Sequence, residues 1–171
     1  MKQKTKKDWV VHALGFPVRL QNVPLFKFRG EWEPDINWNE LQHVVLWALA
    51  HKPSPLTGGQ VRFVRRFMKM TLKEFAALCA VGSHPTVMNW EKKSDQATGM
   101  HKSTENLLRA RILEALPDEL WERFGGESQN PRKTFSRHLH EVSEFESQRE
   151  QLPLSVLAED TPDAPLRYAY Y

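Results

Sequence analysis

Between Phe16 and Arg29 apolar and polar residues alternate, with Val18-Arg19-Leu20 and Leu25-Phe26-Lys27-Phe28 on either side of Gln21-Asn22. A two-residue period predicts strands, and the polar pair between them predicts a turn, so this segment reads as a small β-hairpin. After Asn37 the period changes to that of a helix. Leu41, Val44, Val45, Ala48 and Leu49 recur at helical spacing; Asn37 offers a side-chain cap, and Glu40 stands three residues on, as in a capping box. The pattern predicts a helix over 38–51. Pro53-Ser54-Pro55 cannot extend it, because proline lacks an N–H and disfavours helical geometry in the residue before it. A boundary is therefore expected here, closing an N-terminal hairpin-plus-helix module over residues 1–52.

The second region, residues 56–126, is patterned as a run of short helices. Thr57 caps a segment in which Val61, Val64, Arg65 and Met68 share a face, with Phe63 and Phe67 close by. Thr71, with Glu74 three residues later, forms a capping box ahead of Phe75, Ala76 and Leu78. Val81-Gly82 breaks that helix after two turns. Ser83 can cap the next, Pro85 suits its first turn, and Val87 and Trp90, with Met88 beside them, supply its inward face. Ser103 caps a fourth helix to about Leu116, Pro117-Asp118-Glu119 opens a fifth to Phe124, and Gly125-Gly126 closes the region. Beyond it, 134–150 has a polar helical pattern, and 151–171 is rich in proline. The expected fold class is thus mainly α: a five-helix domain over 56–126, the small module before it, and a partly disordered acidic tail over 127–171.

Charge sharpens this division. Residues 57–111 carry ten Lys/Arg and four acids, a balance of +6; residues 112–171 carry six bases and twelve acids, a balance of −6. A basic middle beside an acidic end suits a polyanion-binding face with a segment that stays off the polyanion. The single cysteine, Cys79, excludes an intramolecular disulfide and any zinc site built on paired thiolates. On helical spacing it faces the core and has no catalytic setting. Met1–Lys7 followed by a short, His12-broken apolar stretch does not read as a signal peptide, and no run approaches the roughly 20 apolar residues of a membrane span. A cytoplasmic protein without membrane contact is expected.

The chemistry concentrates in the two short helices around Gly82. Such a pair, joined by a tight turn, holds its second helix so that the leading turns can enter the major groove of DNA. Ala76 is the small residue at the crossing, Val81 and Val87 are buried contacts, Trp90 is the anchor, and Ser83, His84, Thr86 and Asn89 point outward. Asn89 suits a bidentate contact with adenine. Lys92 and Lys93, at the end of the second helix, suit phosphate. In Thr71-Leu72-Lys73-Glu74-Phe75-Ala76 and Thr86-Val87-Met88-Asn89-Trp90-Glu91 the chain resembles the Cro and phage-repressor (xenobiotic-response-element) helix-turn-helix family over about 55 residues. Two features depart from the family: Lys73 stands near the position where a phosphate-touching Gln often begins the first of the paired helices, and the turn is one residue longer than usual. The resemblance implies a sequence-specific double-stranded DNA-binding transcriptional repressor, acting as a homodimer on paired half-sites. Leu20 to Pro24, Gly30-Glu31 and Pro55-Leu56-Thr57-Gly58 also resemble the MqsA class of antitoxin, which implies autoregulation and a toxin protein as partner. The metal-binding cysteines of that class are missing, so no metal or cofactor is carried over.

Phe63, Phe67, Phe75 and Trp90 read as core that positions the site. His84 is either a surface histidine at a helix start or a donor to a phosphate or base edge. His138, His140 and Glu141 form only a weak metal pattern. Absence of G-x-x-x-x-G-K-[ST], G-x-S-x-G and H-E-x-x-H strings leaves nothing that reads as an enzyme. The competing expectation is a protein–protein interaction module that neutralises a partner, with an incidental basic face.

Overall fold

A long central strand organises the N-terminal part of the protein. The computed structural model describes residues 4–124 together with the strands at 154–157 and 167–170. β2 (Val18–Phe28) pairs antiparallel along one edge with β1 (Lys4–Val11), in a register that sets Lys4 opposite Leu25 and Val11 opposite Val18. Its other edge is shared: β3 (Glu31–Pro34) pairs antiparallel with Leu25–Phe28, and β4 (Leu154–Leu157) pairs parallel with Arg19–Gln21. β5 (Arg167–Tyr170) lies antiparallel on β4. Six helices complete the described residues: α1 (Trp38–His51), α2 (Gly58–Phe67), α3 (Leu72–Leu78), α4 (His84–Glu91), α5 (Lys102–Glu114) and α6 (Asp118–Phe124). The chain is therefore a mixed α/β protein, and the expectation of a mainly α fold is corrected.

The helices between 56 and 126 follow the sequence pattern; the strands are where it misled. β1 is hidden because Lys4, Lys6, Lys7 and Asp8 interrupt any alternation, as befits an exposed edge strand blunted by charge. Gln21-Asn22 is no turn. Asn22 takes φ +52, which asparagine tolerates, and the strand runs on with its inward phase slipped by one residue, from Val18 and Leu20 to Val23 and Leu25. The real two-residue turn is Arg29-Gly30, whose φ values of +49 and +93 match the type I′ geometry that suits the twist of paired strands. Within the segment expected to be partly disordered, the described residues are the strands β4 and β5. The Gly125-Gly126 closure, the polar helix at 134–150 and the His138–His140–Glu141 pattern lie outside the described residues.

α1 occupies its predicted span, and Asn37 Oδ1 accepts the N–H groups of Asn39 (3.0 Å) and Glu40 (3.2 Å). Glu40 does not complete a capping box. Its carboxylate instead takes Arg123 of α6 at 2.8 Å, while Trp121 packs edge-on against Trp47. The hydrophobic core is one cluster, running from Val18 and Leu20 of the sheet through α1, Leu56 and Val61 to Phe75, Val87 and Ile112. It crosses the Pro53–Pro55 segment without a break. The physical reason is a buried polar hub. The end of α1 leaves carbonyls without helical partners, and the guanidinium of Arg109, 1 % exposed, donates to the carbonyls of Leu49, Ala50, Lys52 and Ser54. Glu105 Oε1 accepts from Arg109 and from Leu56 N–H, and Lys52 Nζ donates to Pro55 O and Gln60 Oε1.

Candidate nucleic-acid interface

The site rises from α2. Thr57 and Gln60 form a capping box, so α2 begins in a fixed place. Its first residues lie against the chain that leaves α4: Gly58 N–H donates to Gln96 O (3.1 Å) and Gly59 N–H to Ser94 O (2.6 Å). A Cβ on Gly58 would collide with Trp90 O and stand 2.8 Å from Ser94 N, so the approach needs glycine. Thr98 N–H donates to Leu56 O, and Thr57 bridges Ala97, fixing the far side of the same loop.

α3 starts as the sequence predicts. Thr71 Oγ1 accepts Glu74 N–H (3.2 Å), and Glu74 Oε2 accepts Thr71 N–H and the Thr71 hydroxyl, both at 2.7 Å. The bonds from Thr71 hold the Glu74 carboxyl below its ordinary range. α3 ends at Leu78, four residues before Gly82, in a Schellman motif: Val81 N–H reaches Ala76 O and Ala80 N–H reaches Ala77 O. The left-handed residue is Ala80, at φ +54, while Gly82 stands in open space. The turn to α4 thus spans Cys79–Ser83. Ser83 is the N-cap by backbone, but its hydroxyl lies 3.2 Å from that of Thr86 and makes no capping bond. α5 starts two residues earlier than read: His101, not Ser103, is its cap, accepting Ser103 N–H on Nδ1.

Val87 and Trp90 are buried, as their spacing demands, and Met88 is exposed rather than inward. The residue that clamps α4 was missed. Glu91, buried beside Trp90, takes Arg65 Nε on Oε1 (2.6 Å) and Arg65 Nη2 on Oε2 (3.0 Å), while Arg62 Nη2 donates to Glu91 O (2.9 Å). Arg65 Nη1 also donates to Met70 O, so one guanidinium ties α2, the α2–α3 turn and α4 together. The bidentate bond to Glu91 holds the Arg65 pKa above its ordinary value. One signal was available. Arg65 shares an apolar face with Val61 and Val64, and a cation there requires a buried acid.

The outward surface of α4 carries His84, Met88, Asn89 and Lys92, all exposed, with Ser83 at the entering end and Lys73 on α3. Thr86 is half-buried and faces Ser83. Among the described residues Asn89 has no side-chain hydrogen bond. Lys93 turns the other way: its Nζ donates to Thr98 O at 2.7 Å and closes the α4–α5 loop. Six of the seven predicted residues therefore surround the exposed side of α3 and α4, and Lys93 is already engaged. No group of three or more His, Cys, Asp or Glu among the described residues could hold a metal, and none of their helices is long and apolar enough to cross a membrane. Cys79 is fully buried; desolvation pushes its thiol up to about 12, which keeps it unreactive.

Comparison of the chain with protein-family models, with curated proteins and with solved structures finds no match. The likeness to the repressor family rests on the two six-residue strings that begin at Thr71 and Thr86.

Proposed function

We propose that this protein is a sequence-specific double-stranded DNA-binding regulator, a repressor acting as a homodimer in the cytoplasm, which lays the N-terminal turns of α4 in the major groove. The observation that carries the reading is the division of α4 into a clamped face and an uncommitted one. Val87, Trp90 and Glu91 fix the helix to its neighbours, while His84, Met88, Asn89 and Lys92 stand in solvent. Asn89 supplies the adenine contact, Met88 an apolar surface for a thymine methyl, and Lys92 with Lys73 phosphate contacts that carry no base information.

The test is a binding titration on a selected duplex and a random one at several salt concentrations. Asn89→Ala is expected to weaken the selected site by roughly 5- to 150-fold, the equivalent of about 1–3 kcal/mol, with random DNA unaffected. Lys92→Ala is expected to weaken both and to lower the salt slope by about one unit. Equal affinity of Asn89→Ala and the parent for the selected site overturns the assignment of α4.

A second reading is favoured by Phe26 and Phe28. They alternate along β2 onto one sheet face, with ring centroids 6.4 Å apart, both exposed and far in sequence from α4. An exposed aromatic pair of this kind suits a partner protein, the toxin of an antitoxin pair included. Salt-insensitive retention on DNA, or none, together with capture of a partner lost in Phe28→Ser, favours this reading over the first.

A further inference from the structure

The inward face of the sheet carries more than core. Residues directly opposite one another on paired strands share a face, as do alternate residues along one strand. Leu20, Val23 and Leu25 of β2 are buried, so their β1 partners Trp9, Lys6 and Lys4 lie on the same face. Lys27, two residues beyond Leu25, joins them with its β3 partner Trp32. Lys4, Lys6 and Lys27 are exposed, whereas Trp9 and Trp32 are half-buried and packed on the rim of the core. The carboxylates of the described strands, Asp8, Glu31 and Glu33, stand opposite Gln21, Phe28 and Phe26 and fall on the other face. Among the described residues this strip therefore holds three cations, two indole rings and no acid.

The cations and rings are interleaved. Lys6 Nζ lies 4.6 Å from the centroid of the Trp9 ring, and Lys4 Nζ lies 5.9 Å from that of Trp32, so each half-buried indole meets solvent beneath a lysine that is itself exposed. A lysine over an exposed ring is held by a factor of roughly 2 to 5. A nucleobase stacked on an aromatic side chain gains roughly 5- to 150-fold, so a base displaces the lysine and leaves its ammonium beside the phosphate that arrives with the base. The two rings stand at the levels of Leu20 and Lys27 on β2, about 23 Å apart at about 3.3 Å per residue, and are met by different bases of one extended strand. A duplex keeps its base faces stacked inside and has none to offer. We propose that this strip binds single-stranded nucleic acid, with bases on Trp9 and Trp32 and phosphates on Lys4, Lys6 and Lys27. The strip is on the opposite sheet face from Phe26 and Phe28, and the inference does not depend on the reading of α4.

Fluorescence anisotropy of labelled oligothymidylate and oligouridylate of about 12 nucleotides, titrated with the full chain at several salt concentrations and with inorganic polyphosphate as competitor, tests it. At least one oligonucleotide is expected to bind saturably, and the comparison of the two separates DNA from RNA. Polyphosphate, which has charge but no bases, should compete at least tenfold more weakly. Trp32→Leu keeps an apolar contact with the core and should lose roughly 5- to 150-fold in a chain with the parent's circular dichroism. Lys4→Gln, Lys6→Gln and Lys27→Gln together change only exposed groups and should lower the salt slope by about 2 units, at roughly 0.7 per phosphate. Absence of saturable binding, polyphosphate that competes as well as the oligonucleotide, or an unchanged salt slope in the triple variant overturns the proposal. Binding kept in folded Trp32→Leu and lost in Lys92→Ala places the strand on α4 and also overturns it, as does a parent that fails to bind either oligonucleotide but sediments as a dimer that Trp32→Leu dissociates.

Discussion

Lys52 closes α1 with 2 % of its surface exposed, and its ammonium donates to Pro55 O at 2.8 Å and Gln60 Oε1 at 3.0 Å. Burial first, then repulsion by Arg109, outweighs the attraction of Glu105 and pushes its pKa down to about 7. In the unfolded chain the same group titrates near 10.4. Between those values the unfolded state holds a proton that the folded state has released, so stability rises with pH; below about 7 both states are protonated and the contribution is flat at its lower level. From pH 7 to 9 folded Lys52 goes from half to almost fully neutral while the unfolded group stays charged. That change amounts to about 2 kcal/mol. Urea unfolding of the parent and of Lys52→Met at both pH values isolates it. Cys79 acts in the opposite sense, since its raised folded pKa costs stability above about pH 8.5, but both chains contain it and it cancels in the difference. The parent should gain about 2 kcal/mol more than Lys52→Met across this interval. An equal pH response in the two chains refutes the argument that the buried ammonium is strained at neutral pH.

Two further outcomes follow from the clamp on α4. Ala80→Gly should raise stability by about 1 kcal/mol, because it relieves a left-handed alanine, while Gly82→Ala, in open space, should not destabilise; urea midpoints decide, and the reverse pattern places the strained residue wrongly. Glu91→Gln should cost about 2 kcal/mol by removing a carboxylate that is hydrogen-bonded to Arg65, whereas Arg62→Ala, whose side chain is 42 % exposed, should cost well under 1 kcal/mol; equal losses refute the assignment of Arg65 as the main partner.

What could be read from the sequence is what depends on neighbours within about four residues. Thr57, Thr71 and Asn37 act as the caps expected of them, α1 fills its predicted span, and Val87 and Trp90 turn inward, because caps and helical periodicity are local. The strands escaped for a different reason. β1 finds its partner seven to twenty-one positions away, β4 finds β2 across more than a hundred, and neither shows clean alternation, so only the pairing itself reveals them. Ala80 shows the limit of reading a glycine as a stop: Gly82 drew attention, yet the chain bends two residues earlier at a residue with no conformational signature.

The same distinction separates the parts of the site. Its exposed side chains were accessible to inference because they belong to one helix, but the apparatus that presents them is assembled from distant segments. Arg109 satisfies the carbonyls at the end of α1 and shares Glu105 with Leu56 N–H; Lys52 reaches Gln60, which caps α2; and α2 begins under the chain leaving α4, where Gly58 and Gly59 bond to Gln96 and Ser94. Arg65 then fixes the other end of that contact through Glu91. Each link is a buried hydrogen bond or ion pair whose loss leaves a polar group stranded, and such groups tolerate little displacement. Were α4 to dock as proposed, a helix held in this way would lose little freedom, leaving more of the contact energy of His84, Met88, Asn89 and Lys92 for affinity and discrimination. The Pro53–Pro55 segment, which reads as a boundary, is therefore the place where the sheet-bearing half of the chain is tied to the helices that follow it.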